Sequence, residues 1–469
     1  MIHFYDEVKT MANRFFGDKH FYQHIISLML PIMIQNGITN FVNMLDNIMV
    51  GRVGTVEMTG VAVSNQLLFV FNLCIFGAVS GAGIFGAQFF GKKDHEGVRY
   101  TFRFKLLLCT VLTLAGIALL FFGGDALVGL YLKGDGSAAD AAASLGFARD
   151  YINIMLIGLL PYTLVQCYSS TLRETGETFL PMVGGVAAVL VNLVLNYILI
   201  FGNFGAPKLG VAGAAIATVT SRFVELAIVM IWTRAKAKEH PFIIGAFRNI
   251  HVPLSLIKQI AVKGLPLMAN EVLWAAGIAT VNQCYSVRGL DVVAASNIAQ
   301  TFWNVFSVAF MAVGVAIGIV VGQMLGAGET EEAKIAASRL ITFSILISAA
   351  IGILYAVAAL WIPAAYNTTP AVRHMATRLM QISGLTMPLD ACAHACYFTL
   401  RSGGKTFITF IFDSGYVWLI NLPVAMLLIY CTALPILPLY LICQLMLITK
   451  SVLGLCFVAQ GSWAKKIIN

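Results

Sequence analysis

Charge is what this chain has least of. Only 11% of its 469 residues are Asp, Glu, Lys or Arg, against about 25% in an ordinary soluble domain. Hydrophobic residues make up 59%, and the mean hydropathy is +0.84. Water is therefore not its main solvent. The chain also lacks a Gly-x-x-x-x-Gly-Lys-Ser/Thr phosphate loop, which excludes ATP hydrolysis within it. Gly81-Ala82-Gly83 and Gly326-Ala327-Gly328 follow no strand and read as packing or turn glycines. The nine cysteines all fall in or at the ends of apolar stretches, so no disulfide framework is expected. No cleavable signal peptide is visible. The first residues mix Asp6, Glu7, Lys9, Arg14 and Lys19 with Phe4, Tyr5, Phe15 and Phe16, the pattern of an amphipathic segment on a membrane face. No nucleophile or metal set stands at catalytic spacing. Asp390 and His394 are the one acid–base pair a membrane-embedded enzyme would have, and an enzyme is not expected.

What is present is a series of about twelve apolar segments, each near the roughly 20 residues that cross a bilayer. They run from 24–45 to 436–460 and imply an all-α polytopic membrane protein. Counting Lys and Arg in alternate loops gives 21 on the N-terminal side and 7 on the other. That bias places both termini in the cytoplasm of a cell-membrane (inner-membrane) protein. The net charge of +8 then reflects topology, and no nucleic-acid partner is implied.

The sequence also repeats. Pro31 in Leu-Pro-Ile-Met returns 235 positions later as Pro266 in Leu-Pro-Leu-Met. The same offset carries Asn47 onto Asn282, Gln88 onto Gln323 and Gly91 onto Gly326. Further on, Thr171-Leu172-Arg173 matches Thr399-Leu400-Arg401, with Gly176 against Gly404. The longest polar connection, 234–258, has six spans on each side. Two pseudo-symmetric six-helix lobes follow, 1–240 and 241–469, related by an axis along the membrane normal. Halves of this kind are the build of a transporter, with the substrate path where they meet.

Polar side chains inside spans are costly and mark function by default. Asp46 lies at the outer end of span one. It reads either as a coupling acid or as a solvated span end near Arg52. Asn192 and Asn196 are spaced i,i+4 on one helix face, and Thr218 is on the next span. A carboxylate with amide and hydroxyl oxygens suits Na⁺, and the same acid can instead take a proton. In the second half, Glu271, Asp390 and His394 suggest a second acidic site with His394 as proton relay, or a pair that satisfies itself. Arg222–Glu225 and Asp413–Lys450 read as self-neutralising pairs. Trp274, Trp303 and Met268 are candidates for holding a flat amphipathic substrate. No other metal and no organic cofactor is expected.

Pro31 with Asp46-Asn47-Ile48-Met49-Val50-Gly51 resembles the first-span signature of the multidrug and toxic compound extrusion family. So do Ser64-Asn65-Gln66, Gly86-Ala87-Gln88, Leu172-Arg173-Glu174-Thr175-Gly176, Gly213-Ala214-Ala215-Ile216-Ala217-Thr218 and Asn297-Ile298-Ala299-Gln300. The resemblance covers nearly the whole chain. It implies two lobes forming a V around a central cavity, and a monomer that exports small organic, cationic or amphipathic compounds against Na⁺ or H⁺. It also implies that Asp46, Asn192, Asn196 and Thr218 form the N-lobe cation set, and that Asp390 is the C-lobe acid of the Na⁺-coupled branch. Glu271 departs from that pattern, whose span-seven Glu falls where this chain has Trp274. The alternative function is a flippase for lipid-linked precursors, which would line its cavity with Arg and Lys.

Overall fold

The computed structural model describes residues 14–132 and 138–468. Residues 1–13, most of the expected amphipathic segment, lie outside the described residues, as does the side chain of Asn47. Among the described residues there are helices and no strand. In order, the long helices are α1 Lys19–Gly51, α2 Thr55–Gly91, α3 His95–Tyr131, α4 Ala138–Glu174, α5 Phe179–Phe201, α6 Val211–Ala235 and α7 Leu254–Ser286. There follow α8 Leu290–Phe306, α9 Val308–Ala327, α10 Thr330–Ala358, α11 Pro370–Ser402, α12 Thr406–Cys431 and α13 Ile436–Ala459. In lipid every backbone N–H and C=O must be bonded within the protein, so apolar runs of this length have no alternative but helix.

Eleven of these helices are long and apolar enough to cross a membrane. The helix that fails on composition is α11, which has 33 residues but carries Arg373, Arg378, Asp390, His394 and Arg401. Helices α8 and α9 run on from each other through Ser307, whose N–H bonds Trp303 O at 2.9 Å, and together make one span. With α11 the crossings come to the expected twelve. The two matched Thr-Leu-Arg segments end alike. Gly176 (φ 86°) and Gly404 (φ 72°) turn the chain with left-handed backbone, their N–H groups bonding Arg173 O and Arg401 O at 2.9 Å each.

Two compact units emerge. An amino unit holds Ile34–Gly86 and His95–Ile260. A carboxyl unit holds the described residues up to Met33, with Ala87–Asp94 and Ala261–Asn469. The division therefore cuts α1 just beyond Pro31, a residue that removes one helix hydrogen bond. The start of α1 belongs to the carboxyl unit's core, where Ile25, Leu28 and Ile32 pack with Ile317, Leu340 and Cys396.

In the amino unit the polar connection after α6 is docked rather than loose. Arg103 of α3 donates to Gly245 O (2.7 Å), Ala246 O (2.8 Å) and His251 O (3.2 Å), and Arg99 reaches Pro241 O. Phe102 meets Phe242 edge-on at 5.3 Å. Burial here pushes the His240 imidazole below its ordinary range.

In the carboxyl unit the repeated Gln and Gly residues meet each other. A Cβ on Gly91 would lie 2.6 Å from the Gln323 carbonyl carbon, and one on Gly326 would lie 2.6 Å from that of Gln88. The end of α2 and the end of α9 thus cross reciprocally at a spacing only glycine allows. The Gln88 amide also gathers the C-terminal tail. Its nitrogen donates to Ser402 O and Lys465 O, both at 3.2 Å, and its oxygen accepts from Ile467 N at 2.8 Å. Beside it Trp463 is 1% exposed and donates to Val458 O.

Candidate functional site

The amino unit brings Asp46, Asn192, Asn196 and Thr218 together from α1, α5 and α6. The i,i+4 spacing on α5 puts both amides on one buried face, and Asn196 is 1% exposed. Asn196 Nδ2 donates to Asp46 Oδ1 at 2.7 Å and to Asn192 Oδ1 at 3.2 Å. Asn192 Nδ2 donates to Thr218 Oγ1 at 3.1 Å. With the Asn192 amide turned by half a rotation, its nitrogen reaches Asp46 Oδ2 at 2.8 Å and its oxygen accepts from Thr218. In that orientation the Asn192 amide satisfies both Asp46 and Thr218. Asn196 Oδ1 is buried and has no hydrogen-bond partner. A buried acceptor left open beside a carboxylate fits a small cation, which brings no lone pairs of its own.

Two neighbours extend this site. Tyr151 Oη donates to Asn65 Oδ1 at 3.3 Å and feels the charge of Asp46. A cavity of about 40 Å³ lies against Thr218, Tyr162 and Arg222, room for water. Thr218, Arg222 and Glu225 follow one another on one face of α6. Arg222 pairs with Glu225 at 3.1 Å and stacks over Tyr162 at 5.1 Å, the pairing expected from sequence.

In the carboxyl unit no hydrogen bond joins Glu271 to His394 among the described residues. Its Oε1 accepts from Tyr397 Oη at 2.9 Å. Asn270 beside it donates to Tyr397 Oη (3.3 Å) and to Asp413 Oδ2 (3.0 Å). Asp413 Oδ1 in turn accepts from Lys450 Nζ at 2.7 Å, the cross-helix pair expected from sequence. No hydrogen bond joins Asp390 to His394 among the described residues. The His394 ring is held by Phe398 at 4.9 Å, Phe310 at 5.7 Å and Tyr397 at 6.4 Å. Helix α12 is π-wound over Ile411–Gly415 and Val417–Asn421, which re-aims Asp413. Asn270 secures the widened turn, accepting from Ser414 Oγ at 2.7 Å and Ser414 N at 3.2 Å. Trp274 is exposed on α7. Met268 is partly buried. Trp303 packs into a core with Tyr355 at 6.1 Å and Phe310 at 6.2 Å.

Sequence reasoning missed Asn270, and a signal for it existed. Gln35 and Asn270 are related by the same 235-residue offset, and both are polar within apolar helices four residues after a proline. Gln35 accepts from Arg173 at 2.8 Å. Arg173, in the last turn of α4, is thus tied to α1. Lys105 is a correction of a second kind. Counted among the five cations of the 91–105 loop, it lies inside α3, which begins at His95, eight residues before the span expected at 103–123. It is fully buried, with Nζ 2.6 Å from both Glu174 oxygens and near Ser170 and Thr171.

The MatE family model matches residues 31–198 and 266–427, one stretch in each repeat. A probable multidrug resistance protein NorM of Thermotoga maritima is 26% identical over 451 residues, covering 95% of this chain and 94% of that protein. The multidrug resistance protein MdtK of Yersinia pseudotuberculosis is 27% identical over 409 residues, covering 86% and 87%. Among solved structures, a MOP-superfamily transporter from Pyrococcus furiosus superposes with a TM-score of 0.84 at 18% identity, covering 97% of this chain and 98% of that one. The Vibrio cholerae MATE transporter VcmN gives 0.82 at 16%, with 95% and 98% covered.

Proposed function

The chain belongs to the MatE family of multi-pass membrane transporters, and on that premise we propose that it exports small organic compounds, cationic or amphipathic, in exchange for Na⁺ or H⁺ taken up at Asp46. It is a transporter and no enzyme. The observation that carries the coupling role is the Asp46 cluster, a carboxylate held by an amide at 2.7 Å beside a buried, unpartnered Asn196 oxygen. Asn192, Asn196 and Thr218 supply the remaining oxygens a Na⁺ would need, and a proton would need Asp46 alone. An ion drives a conformational cycle only by binding one state more tightly than the other. Pro31 gives α1 a weak point at which binding near its far end can change the helix.

Relatives named as multidrug resistance proteins support the substrate class. In this reading Glu271 and Asp390, with His394, set the preference for cationic substrates, and Trp274, Met268 and Trp303 contribute apolar surface. Repeats 1–240 and 241–469 open the path to each face in turn. The protein acts as a monomer in the inner membrane with both termini cytoplasmic. A flippase for pyrophosphate-linked lipids fits less well, because the buried Lys105 and Lys450 are each held by a carboxylate.

The test is transport in proteoliposomes with imposed Na⁺ or pH gradients. Asp46→Asn is expected to remove gradient-driven export while the protein still purifies as a folded monomer. Export by Asp46→Asn at the native rate would overturn the assignment.

A further inference from the structure

Lys450 is an unusual residue to find in the middle of a 24-residue apolar helix. It is 8% exposed. Its ammonium sits 2.7 Å from Asp413 Oδ1, with the rings of Phe412 and Tyr416 at 5.6 and 5.8 Å. Three acids share this region of the carboxyl unit. Asp413 is in direct contact, Glu271 is joined to it through Tyr397 and Asn270, and Asp390 follows Leu389, whose carbonyl accepts from Ser451 next to Lys450. The acid that touches the lysine, Asp413, has both of its oxygens met by fixed donors. Asp413 Oδ1 takes the ammonium and Oδ2 takes the Asn270 amide. Glu271 Oε1 takes the Tyr397 hydroxyl, and the Asn270 oxygen takes Ser414.

A buried acidic cluster in a membrane protein must be neutralised by something. In the amino unit the structure leaves an oxygen open beside the carboxylate. Here it supplies a cation with the protein. A lysine suits that role better than an arginine. Its ammonium is a compact point charge, comparable in reach to a partly dehydrated alkali ion, and a flexible stem lets it sit where such an ion would. Being tethered, it competes at a high effective concentration with any ion from solution. The π-wound turn of α12, secured by Asn270, is what brings Asp413 to it.

We propose that Lys450 is a tethered cation that permanently fills the acidic site of the carboxyl unit, so that this unit binds no coupling ion. The transport cycle then couples to a single ion, held in the amino unit. That count rests on the reading of Asp46 given above. The filling of the site by Lys450 does not.

The experiment measures Na⁺ binding on the purified full chain carrying Asp46→Asn, by equilibrium binding of radioactive Na⁺ and by thermal stability in NaCl against choline chloride at equal ionic strength. With Lys450 in place, no saturable Na⁺ binding and no Na⁺-specific stabilisation are expected. With Lys450→Ala added, the emptied site should take up Na⁺ at least about tenfold more tightly than the Lys450 chain does. Melting should rise with Na⁺ or methylammonium but not with choline. Adding Asp413→Asn should abolish both gains. Folding is itself a readout. If Lys450→Ala is unstable in choline, Na⁺ is expected to restore it, and failure in both salts overturns the proposal. Saturable Na⁺ binding by the Lys450 chain that Asp413→Asn removes also overturns it. A native transport rate in Asp46→Asn would sink the coupling assignment and leave these binding results to be judged separately.

Discussion

Alanine at Gly326 or Gly91 tests the closeness of the reciprocal crossing of α2 and α9. A Cβ at either position lies 2.6 Å from a backbone carbonyl carbon of the other helix, and nearer still to its oxygen. Carbon atoms attract at about 3.5 Å and beyond, so the added methyl is short by roughly 0.9 Å. The clashing atoms are backbone, so no side chain can rotate away and the helices must part. Overpacking of this kind costs about 1–3 kcal/mol, and a rigid neighbour puts it at the upper end. Replacing a helical glycine by alanine returns up to about 1 kcal/mol of helix propensity, less at a helix end. A net loss of about 2 kcal/mol is expected from each single variant. Because one separation relieves both contacts, the double variant should cost less than the sum, with a coupling of about 1 kcal/mol. Gly318→Ala is the control. It lies on the same helix, and its Cβ would meet Phe398 at an ordinary 3.6 Å. It should be neutral or slightly stabilising. The assay is denaturant unfolding in detergent micelles, followed by tryptophan fluorescence. Singles within about 0.5 kcal/mol of the native chain, or a strictly additive double, would show that the helices have room and the reasoning is wrong.

Two further outcomes are expected. Glu271→Gln combined with Asp390→Asn should reduce export of cationic substrates about tenfold more than export of neutral ones, a difference of ~1.4 kcal/mol; equal losses in paired uptake assays would mean that these acids only support the helices. Arg103→Met removes three donors from Gly245, Ala246 and His251. Hydrogen bonds to charged groups contribute about 1.5–3 kcal/mol each net of exchange with water, so the 241–252 connection should loosen and become cleavable by added protease, and an unchanged digestion pattern would count against its docked state.

Composition and repetition were enough to establish that this is an all-helical, many-span protein of two similar halves. Lipid leaves an apolar run of 20 or more residues little choice but helix, so that part needs no tertiary information. The i,i+4 amides Asn192 and Asn196 were legible for the same local reason, because spacing alone sets the face of a helix. Folding decided which helices meet. Asp46 lies 150 residues from its partner Asn196, and Asp413 lies 143 residues from Asn270. Nothing periodic in the chain announces such pairings. The π-wound turn that aims Asp413 is not a local propensity either, since Ser414 is held in it by a side chain from α7. Lys105 shows the limit most plainly. Its charge marked it as a loop residue, and only the arrival of Glu174 from α4 offsets the cost of burying it. Sequence shows where polar groups stand along each helix, while the tertiary structure determines which of them neutralise one another and which are left open for an ion.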